Sequence, residues 1–211
     1  MIYTKDIAFV HIPKTSGMSI KKSIKLNCLD AKYMPEDMFS KEINGTDWRE
    51  VMHYPYSHWE SLIENKWVFS VVRNPFIRAV SFYVFLKNIY VFKDKLADLT
   101  FEQLYTKKYD RFYVSTTTQT EYLTGNNGMV PNIFKYENGY SKIEDKLGFK
   151  IDQKEMISPK YNYLDYYNEE REKLILNIFY HQYNATQLQL KHLLVSLQIL
   201  YKYLRHYLQK K

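Results

Sequence analysis

The chain has 211 residues, of which 45% are hydrophobic and 25% charged, as is usual for one globular domain with a real core. Its formal net charge of +7 favours anionic partners such as nucleotides, sulfated or carboxylated sugars, nucleic acid or acidic lipid. Cys28 is the single cysteine, which excludes an intrachain disulfide and a cysteine-rich metal site.

The first part of the chain predicts strands that alternate with helices. Residues 7–12 form a short apolar run before Pro13, typical of a buried strand, and residues 19–26 have the amphipathic pattern of a short helix. Residues 29–44 have no clear period, and we interpret them as a loop that could hold a short helix. A brief strand is predicted over residues 50–52, and a helix over about residues 58–64.

The strongest strand signal is WVFSVV, residues 67–72, whose continuous apolar run is expected for a strand covered on both faces. Asn74 can cap a helix and Pro75 suits its first position, so a helix is predicted from about Pro75 to Tyr90.

The rest of the chain predicts further helices and one more strand. We predict helices over residues 101–105, 116–123 and 141–147, the last ended by Gly148, and a strand over residues 133–135. From Leu188 onward, leucines recur at three and four residues and form a one-sided helical stripe. We therefore expect a three-layer α/β fold, with a mainly parallel sheet flanked by helices and a helical C-terminal part.

The sequence FVHIPKTSGMSI places Lys14 between the first predicted strand and its helix. The first amides of a helix have no partner inside the helix and, with the helix dipole, form an anion site. Gly17 allows close backbone approach, Thr15, Ser16 and Ser19 offer hydroxyl groups, and Lys14 adds a point charge. The segment suits the binding of a 5′-phosphate. The alternative is a plain turn between a strand and a helix, with a lysine on the surface.

A second segment, SVVRNPFIRAVSFY, places Arg73 at the carboxyl end of the strongest strand. Ser81 lies eight residues later, about two helical turns along, and Arg78 lies between them. The planar guanidinium group matches phosphate oxygens. Ligands of open α/β sheets bind at the carboxyl edge, so two anion sites there suggest a ligand with phosphates at both ends. A strand-edge arginine and a surface serine remain the simpler alternative.

These two segments resemble those of sulfotransferases that use 3′-phosphoadenosine-5′-phosphosulfate (PAPS), and the carbohydrate sulfotransferases of family 2 show the closest pattern. HIPKTSGMSI resembles their 5′-phosphosulfate loop, and RNPFIRAVSFY resembles their 3′-phosphate segment, about sixty residues further on. Weaker likeness continues through QTEYL and FKYENGYSKIEDKLG, so the resemblance covers most of residues 6–150. Asn74 departs from the usual Asp, and Met18 replaces a smaller residue and can offer only its backbone amide.

The resemblance implies an enzyme that moves a sulfuryl group from PAPS to a hydroxyl of a carbohydrate-type acceptor and releases adenosine 3′,5′-bisphosphate. It implies one P-loop-like domain over residues 1–211, with a nucleotide-binding core over about 1–150 and a helical extension over about 151–211. No metal is required. The residues expected to hold the donor are Lys14, Thr15, Ser16, Gly17, Met18, Ser19, Arg73 and Ser81.

Two residues are expected to carry the chemistry. Lys14 would neutralise charge on the leaving oxygen, and His53 would act as general base, since an ordinary histidine pKa of about 6.5 suits that role near neutrality. The stretch HYPY resembles the histidine context of the carbohydrate group, and His53 follows a predicted strand. His58 and His11 are the alternatives, although His58 should begin a helix that faces elsewhere and His11 should be packed at a strand end.

Two other functions remain open on the sequence. A P-loop nucleotide kinase would need a Walker A lysine, whereas Lys14 precedes the only glycine of its segment. A non-catalytic basic module for nucleic acid or acidic membrane would need a basic stripe, whereas the charge here is scattered, so we expect no nucleic-acid partner. Lys202, Arg205, Lys210 and Lys211 leave peripheral membrane contact open.

Other segments give simple expectations. No run approaches the roughly 20 apolar residues of a membrane span, and no N-terminal stretch has the form of a signal peptide, so we expect a cytoplasmic protein. Glu137, after the last predicted strand, could orient another group, although we expect a solvated carboxylate.

Overall fold

The computed structural model describes residues 1–33, 53–88, 98–106, 117–153 and 162–181, and of residues 179–181 only the backbone. The strands are β1 (Ile2–Tyr3), β2 (Ile7–Val10), β3 (Lys32–Tyr33), β4 (Trp67–Val72) and β5 (Asn132–Lys135). The helices of these residues are α1 (Gly17–Asn27), α2 (Glu60–Ile63), α3 (Pro75–Asn88), α4 (Phe101–Thr106), α5 (Gln119–Leu123), α6 (Ser141–Leu147) and α7 (Glu169–His181). Three 3-10 turns span Tyr56–His58, Tyr136–Asn138 and Tyr163–Tyr166.

The described strands form one sheet in the order β3-β1-β2-β4-β5. β4 is parallel to both β2 and β5, whereas β1 is antiparallel to β2 and β3. The prediction of a mainly parallel α/β sheet is confirmed. β1 and β3 were not predicted, because a strand of two residues is too short to show an alternation of apolar and polar side chains.

Helices cover both faces of the central strands. Along β4, Val68 and Val72 pack in one apolar cluster with side chains of α2 and α5, whereas Phe69 and Val71 pack in another with side chains of α1 and α6. Successive side chains of a strand point to opposite faces. The three-layer arrangement is therefore confirmed, and it explains why β4 is a continuous apolar run.

The parallel register of β2 and β4 aligns the two segments that carry Lys14 and Arg73. Val10, the last residue of β2, pairs with Ser70 of β4, and the Ser70 hydroxyl donates to the Val10 carbonyl at 2.7 Å. After each of these strands the polypeptide leaves the sheet at its carboxyl edge, from β2 into α1 and from β4 into α3.

A third apolar cluster joins α3, α4 and α7 beside the sheet. Arg171 of α7 forms an ion pair with Glu102 of α4, and the hydroxyl of Tyr167 donates to the carbonyl of Phe76 at 2.8 Å. Within the described ranges, α7 is the helical C-terminal part. The predicted leucine stripe and the basic residues after it lie outside those ranges. No helix of the described part is long and apolar enough to cross a bilayer.

Most predicted boundaries are close to the observed ones, with two corrections. The strand predicted over residues 7–12 ends at Val10, and its helix begins at Gly17 rather than at residue 19. The helix predicted over residues 58–64 is a 3-10 turn followed by α2, which begins only at Glu60. Both corrections arise where the chain turns tightly, so local apolar periodicity gives no signal there.

The later elements follow the predictions, except that the helix predicted over residues 116–123 begins only at Gln119. The β4 prediction is confirmed, and α3 begins at Pro75 with the Asn74 side chain accepting from the amides of Phe76 and Ile77. Helix α6 has the predicted bounds and ends at Gly148, which has φ 76°. The strand predicted over residues 50–52 lies outside the described residues.

Candidate active site

The loop between β2 and α1, residues 11–16, has a constrained backbone; we call it the Lys14 loop. Lys14 has φ 66° and Ser16 has φ 70°, values that cost a non-glycine residue roughly 1–2 kcal/mol each. The hydroxyl of the fully buried Thr15 donates to the carbonyl of Ile12 at 2.8 Å, and Tyr140 forms a side-chain hydrogen bond with Ser16. The Thr15 hydroxyl therefore shapes the loop, whereas the sequence suggested a ligand contact.

The ring of His11 packs so closely against Gly17, the first residue of α1, that only glycine fits there. A Cβ added to Gly17 would overlap the imidazole ring of His11, which is 6% exposed. The sequence led us to expect that a ligand approaches Gly17 closely, whereas in this structure the His11 ring does so. Because the ring is in contact with the start of α1, His11 fixes where the helix begins. Met18 and Ser19 follow in the first turn, where backbone amides have no partner within the helix.

The Lys14 side chain lies in a partly desolvated position beside α3. Its Nζ is 3.9 Å from the centroid of the Phe85 ring, a cation–π distance. Burial and then the charge of Arg73 lower the pKa of Lys14 to about 8. The ammonium group is therefore charged near neutral pH, but it lacks the stabilisation that an anion would give.

Arg73 lies directly after β4 and contacts the Lys14 loop. Its Nη1 donates to the Lys14 carbonyl at 3.2 Å, and its guanidinium carbon is 4.5 Å from the centroid of the Tyr136 ring. The Nε atom is buried and has no hydrogen-bond partner among the described residues. Arg73 thus joins the two predicted anion segments and keeps unused donor capacity.

Arg78 also holds the Lys14 loop, and the sequence reasoning missed this role. The side chain is 3% exposed. Its Nε donates to the Pro13 carbonyl at 3.0 Å, and its Nη1 donates to the Thr117 carbonyl at 3.2 Å. The only signal in the sequence was a single arginine within a helix that is otherwise mostly apolar.

Ser81 lies on the face of α3 that meets the Lys14 loop. Arg78 and Phe85 both contact that loop, and Ser81 lies between them at helical spacings of three and four residues. Ser81 is 3% exposed. The structure therefore brings Ser81 to the same edge of the sheet as Lys14 and Arg73.

The three candidate histidines occupy different environments. The rings of His11 and His53 have centroids 4.6 Å apart, whereas His58 is exposed and its ring packs at a tilt on that of Tyr54, with centroids 4.7 Å apart. Burial and then the charge of Lys21 lower the pKa of His53 to about 3 and hold the pKa of His11 well below its usual value. His53 is therefore neutral near pH 7, and its buried Nδ1 has no hydrogen-bond partner in the described part of the chain.

Two polar side chains that the sequence did not assign to the site hold the backbone after β4. The Gln119 side chain accepts from the Arg73 amide at 2.8 Å and donates to the Arg73 carbonyl at 2.7 Å. Glu137 accepts from the Asn74 amide at 2.6 Å. Glu137 is exposed, as the sequence predicted, and it also orients the backbone after β4.

The charges of this region favour an anionic ligand. Lys14, Arg73 and the buried Arg78 and Lys21 contribute positive charge. The residues that the structure describes contain no group of three or more side chains suited to a metal ion. A cavity of about 590 Å³ lies at the opposite, amino edge of the sheet, away from Lys14, and its charged lining residues are Asp6, Asp30 and Lys146.

Comparison with known proteins gives one match. The sequence matches the model of the sulfotransferase family, family 2, over residues 1–173, a range that contains both the Lys14 loop and the residues from Arg73 to Ser81. No curated protein and no solved structure matches the chain.

The contact between Gly17 and His11 gives a stability prediction. Gly17→Ala should lower the free energy of unfolding by about 1–3 kcal/mol, because the added methyl group overpacks against the imidazole ring, although alanine normally favours a helix. Urea denaturation measures the change, and Lys22→Ala on the exposed face of α1 is the control. In a His11→Ala background the loss should be smaller. An equal loss in both backgrounds would contradict the contact.

Proposed function

The chain belongs to the sulfotransferase family, and we propose that it transfers a sulfuryl group from PAPS to a hydroxyl group of a carbohydrate-type acceptor. The observation that carries the proposal is the meeting of two anion-binding segments at one sheet edge, where Arg73 Nη1 donates to the Lys14 carbonyl at 3.2 Å. PAPS has a phosphosulfate at one end and a 3′-phosphate at the other, so it needs two such segments within the length of one nucleotide.

The donor would lie along the carboxyl edge between these segments. The first amides of α1, from Gly17 to Ser19, and the Lys14 ammonium group suit the 5′-phosphosulfate. Arg73, with unused donor capacity, and Ser81 on the facing helix suit the 3′-phosphate. Thr15 and Ser16 would act by holding the loop, since their side chains already bond within the protein.

Lys14 would serve the leaving group. In the transfer, the acceptor oxygen forms a bond to sulfur while the bond from sulfur to the phosphate oxygen breaks. Negative charge grows on that phosphate oxygen, and a nearby ammonium group stabilises it. The product adenosine 3′,5′-bisphosphate retains the electron pair of the broken bond, so no external acid or metal is needed for charge balance.

His53 would take the proton of the acceptor hydroxyl. A general base must be unprotonated before the reaction, and the lowered pKa of His53 keeps its ring neutral at physiological pH. Its Nδ1 forms no hydrogen bond with the described residues, so that nitrogen is not committed to another group of the protein. His58 is exposed and its ring packs at a tilt on that of Tyr54, so it is the weaker candidate.

Nucleotide binding tests the proposal directly. Adenosine 3′,5′-bisphosphate should raise the melting temperature more than ADP or ATP does, because ligand binding stabilises the native state by mass action. Arg73→Ala should remove the preference for the 3′-phosphate and weaken bisphosphate binding by roughly 10- to 100-fold, the worth of a charged hydrogen bond. Lys22→Ala is the control for lost positive charge. An equal response to ATP would favour a kinase, and no response to any nucleotide would favour a non-catalytic module.

The pKa of Lys14 predicts a pH dependence for donor binding. The charged form binds an anion, so affinity should be constant below the pKa of about 8 and fall above it, by at most roughly tenfold per pH unit. Lys21 also has a pKa of about 8, so the variant Lys14→Arg, which stays charged, separates the two. Calorimetric titration of adenosine 3′,5′-bisphosphate between pH 6.5 and 9.5 should show no such fall in Lys14→Arg. The same fall in both proteins would exclude Lys14 as its cause.

The role of His53 is tested by the rate of transfer. His53→Ala should lower sulfate transfer by roughly 10²- to 10⁴-fold, the usual contribution of a general base, and leave donor affinity within about twofold. His58→Ala is the matched control, because the same side chain is removed five residues away. The assay follows transfer of labelled sulfate from PAPS to a panel of glycans. Unchanged turnover in His53→Ala, or the larger loss in His58→Ala, would remove His53 from the mechanism.

A further inference from the structure

The Gln119 side chain pairs with the backbone of Arg73 in the way that a neighbouring strand would. Its amide oxygen accepts from the Arg73 N–H at 2.8 Å and its amide nitrogen donates to the Arg73 carbonyl at 2.7 Å. Both backbone groups of one residue are thus paired by a single side chain, the same pattern that a neighbouring strand would supply. Gln119 therefore prolongs the extended conformation of β4 by one residue beyond Val72, the last residue of that strand.

The following peptide is held from another direction. The Asn74 amide donates to Glu137 Oε1 at 2.6 Å, and Glu137 follows β5, which pairs with β4 through Val72 and Lys135. In an extended chain, successive backbone N–H groups point to opposite sides. Gln119 and Glu137 therefore hold the two residues after β4 from opposite sides.

The position of Gln119 is itself well defined. Thr118 caps α5 with a capping box, in which its hydroxyl accepts from the Glu121 amide at 3.1 Å and Glu121 Oε2 accepts from the Thr118 amide at 2.6 Å. Arg78 Nη1 donates to the carbonyl of Thr117 at 3.2 Å. The start of α5 is thus fixed to α3, and Gln119 reaches Arg73 from a rigid support.

We propose that Gln119 is a positioning residue that gives the site its selectivity for a 3′-phosphate, by fixing the backbone from which the Arg73 side chain extends. This inference rests on the proposed function, in which Arg73 binds the 3′-phosphate. The arginine side chain is long, so a small rotation of its backbone moves the guanidinium group by a large distance. Misplacement of a binding group by about 1 Å can cost on the order of a hundredfold in rate.

The fold itself gains little from this contact. β4 is already paired with β2 up to Ser70 and with β5 up to Val72, and its side chains are buried in clusters that do not include Gln119. A role confined to stability would therefore change every ligand affinity alike. A positioning role would change the affinity for the 3′-phosphate alone.

The test compares two nucleotides that differ only in the 3′-phosphate. Dissociation constants of adenosine 3′,5′-bisphosphate and of AMP are measured by calorimetry for the wild-type protein and Gln119→Leu. We expect the ratio of the two constants to move toward one by about tenfold or more in Gln119→Leu, with AMP affinity within about twofold. Gln103→Leu is the matched control, since Gln103 also accepts from a backbone amide beside a helix start, that of Thr100 at 3.0 Å, but away from the site.

A second arm keeps the test decisive if Gln119→Leu folds poorly. Gln119→Glu keeps an oxygen for the Arg73 amide but places a second oxygen against the Arg73 carbonyl, so it should also lose selectivity. In an Arg73→Ala background, either substitution should leave the remaining affinity for adenosine 3′,5′-bisphosphate within about twofold, because the side chain that Gln119 positions is gone. A further loss of bisphosphate affinity in that background would overturn the inference.

The failure of this inference differs from the failure of the proposed function. A wild-type protein that binds AMP and adenosine 3′,5′-bisphosphate equally well would contradict the proposed function. A wild-type preference for the bisphosphate that persists in Gln119→Leu and Gln119→Glu would overturn only the role of Gln119. Equal weakening of both nucleotides would assign Gln119 to stability.

Discussion

The hydrogen bond from Arg73 Nη1 to the Lys14 carbonyl depends on the parallel register of β2 and β4 and holds the candidate site together. The two residues are 59 positions apart in the sequence, and the sheet brings them to one edge. Arg78 adds a second bridge to the same loop through the Pro13 carbonyl at 3.0 Å. The core of the sheet therefore sets the separation of the two candidate anion-binding segments.

Several unfavourable terms are concentrated at this edge. Lys14 and Ser16 adopt positive φ angles, and burial lowers the pKa of Lys14 and of Lys21 to about 8. Such strain and desolvated charge persist only where the surrounding structure enforces them. An anionic ligand would stabilise the charged form of Lys14. Without such a ligand, the loop is less stable than one with an uncharged side chain at this position would be. The described core supplies the compensation, because apolar clusters cover both faces of the sheet.

The sequence predicted the features that depend on local pattern. The apolar run of β4 and the cap at Asn74 identified the strand and helix around Arg73, and the position of Lys14 after β2 identified the loop. The roles of Arg78, Gln119 and Glu137 could not be predicted, because each bonds to the backbone of a residue at least 39 positions away. Backbone carbonyl and amide groups are common to almost all residue types, so a contact with them leaves no recognisable motif in the sequence. Gly17 was assigned to ligand approach, since the sequence does not show that the His11 ring would occupy the space beside it.

The environment of His53 links donor binding to the strength of the proposed base. With a pKa of about 3, the ring is neutral but is a poor proton acceptor. Its pKa is lowered first by burial and then by the positive charge of Lys21, so added negative charge nearby would raise it again. Under the proposed function the donor brings several negative charges to the same sheet edge, where the ring of His11 already lies 4.6 Å from that of His53. Under that proposal, a bound donor would raise the pKa of His53 toward the range in which a histidine is an effective base.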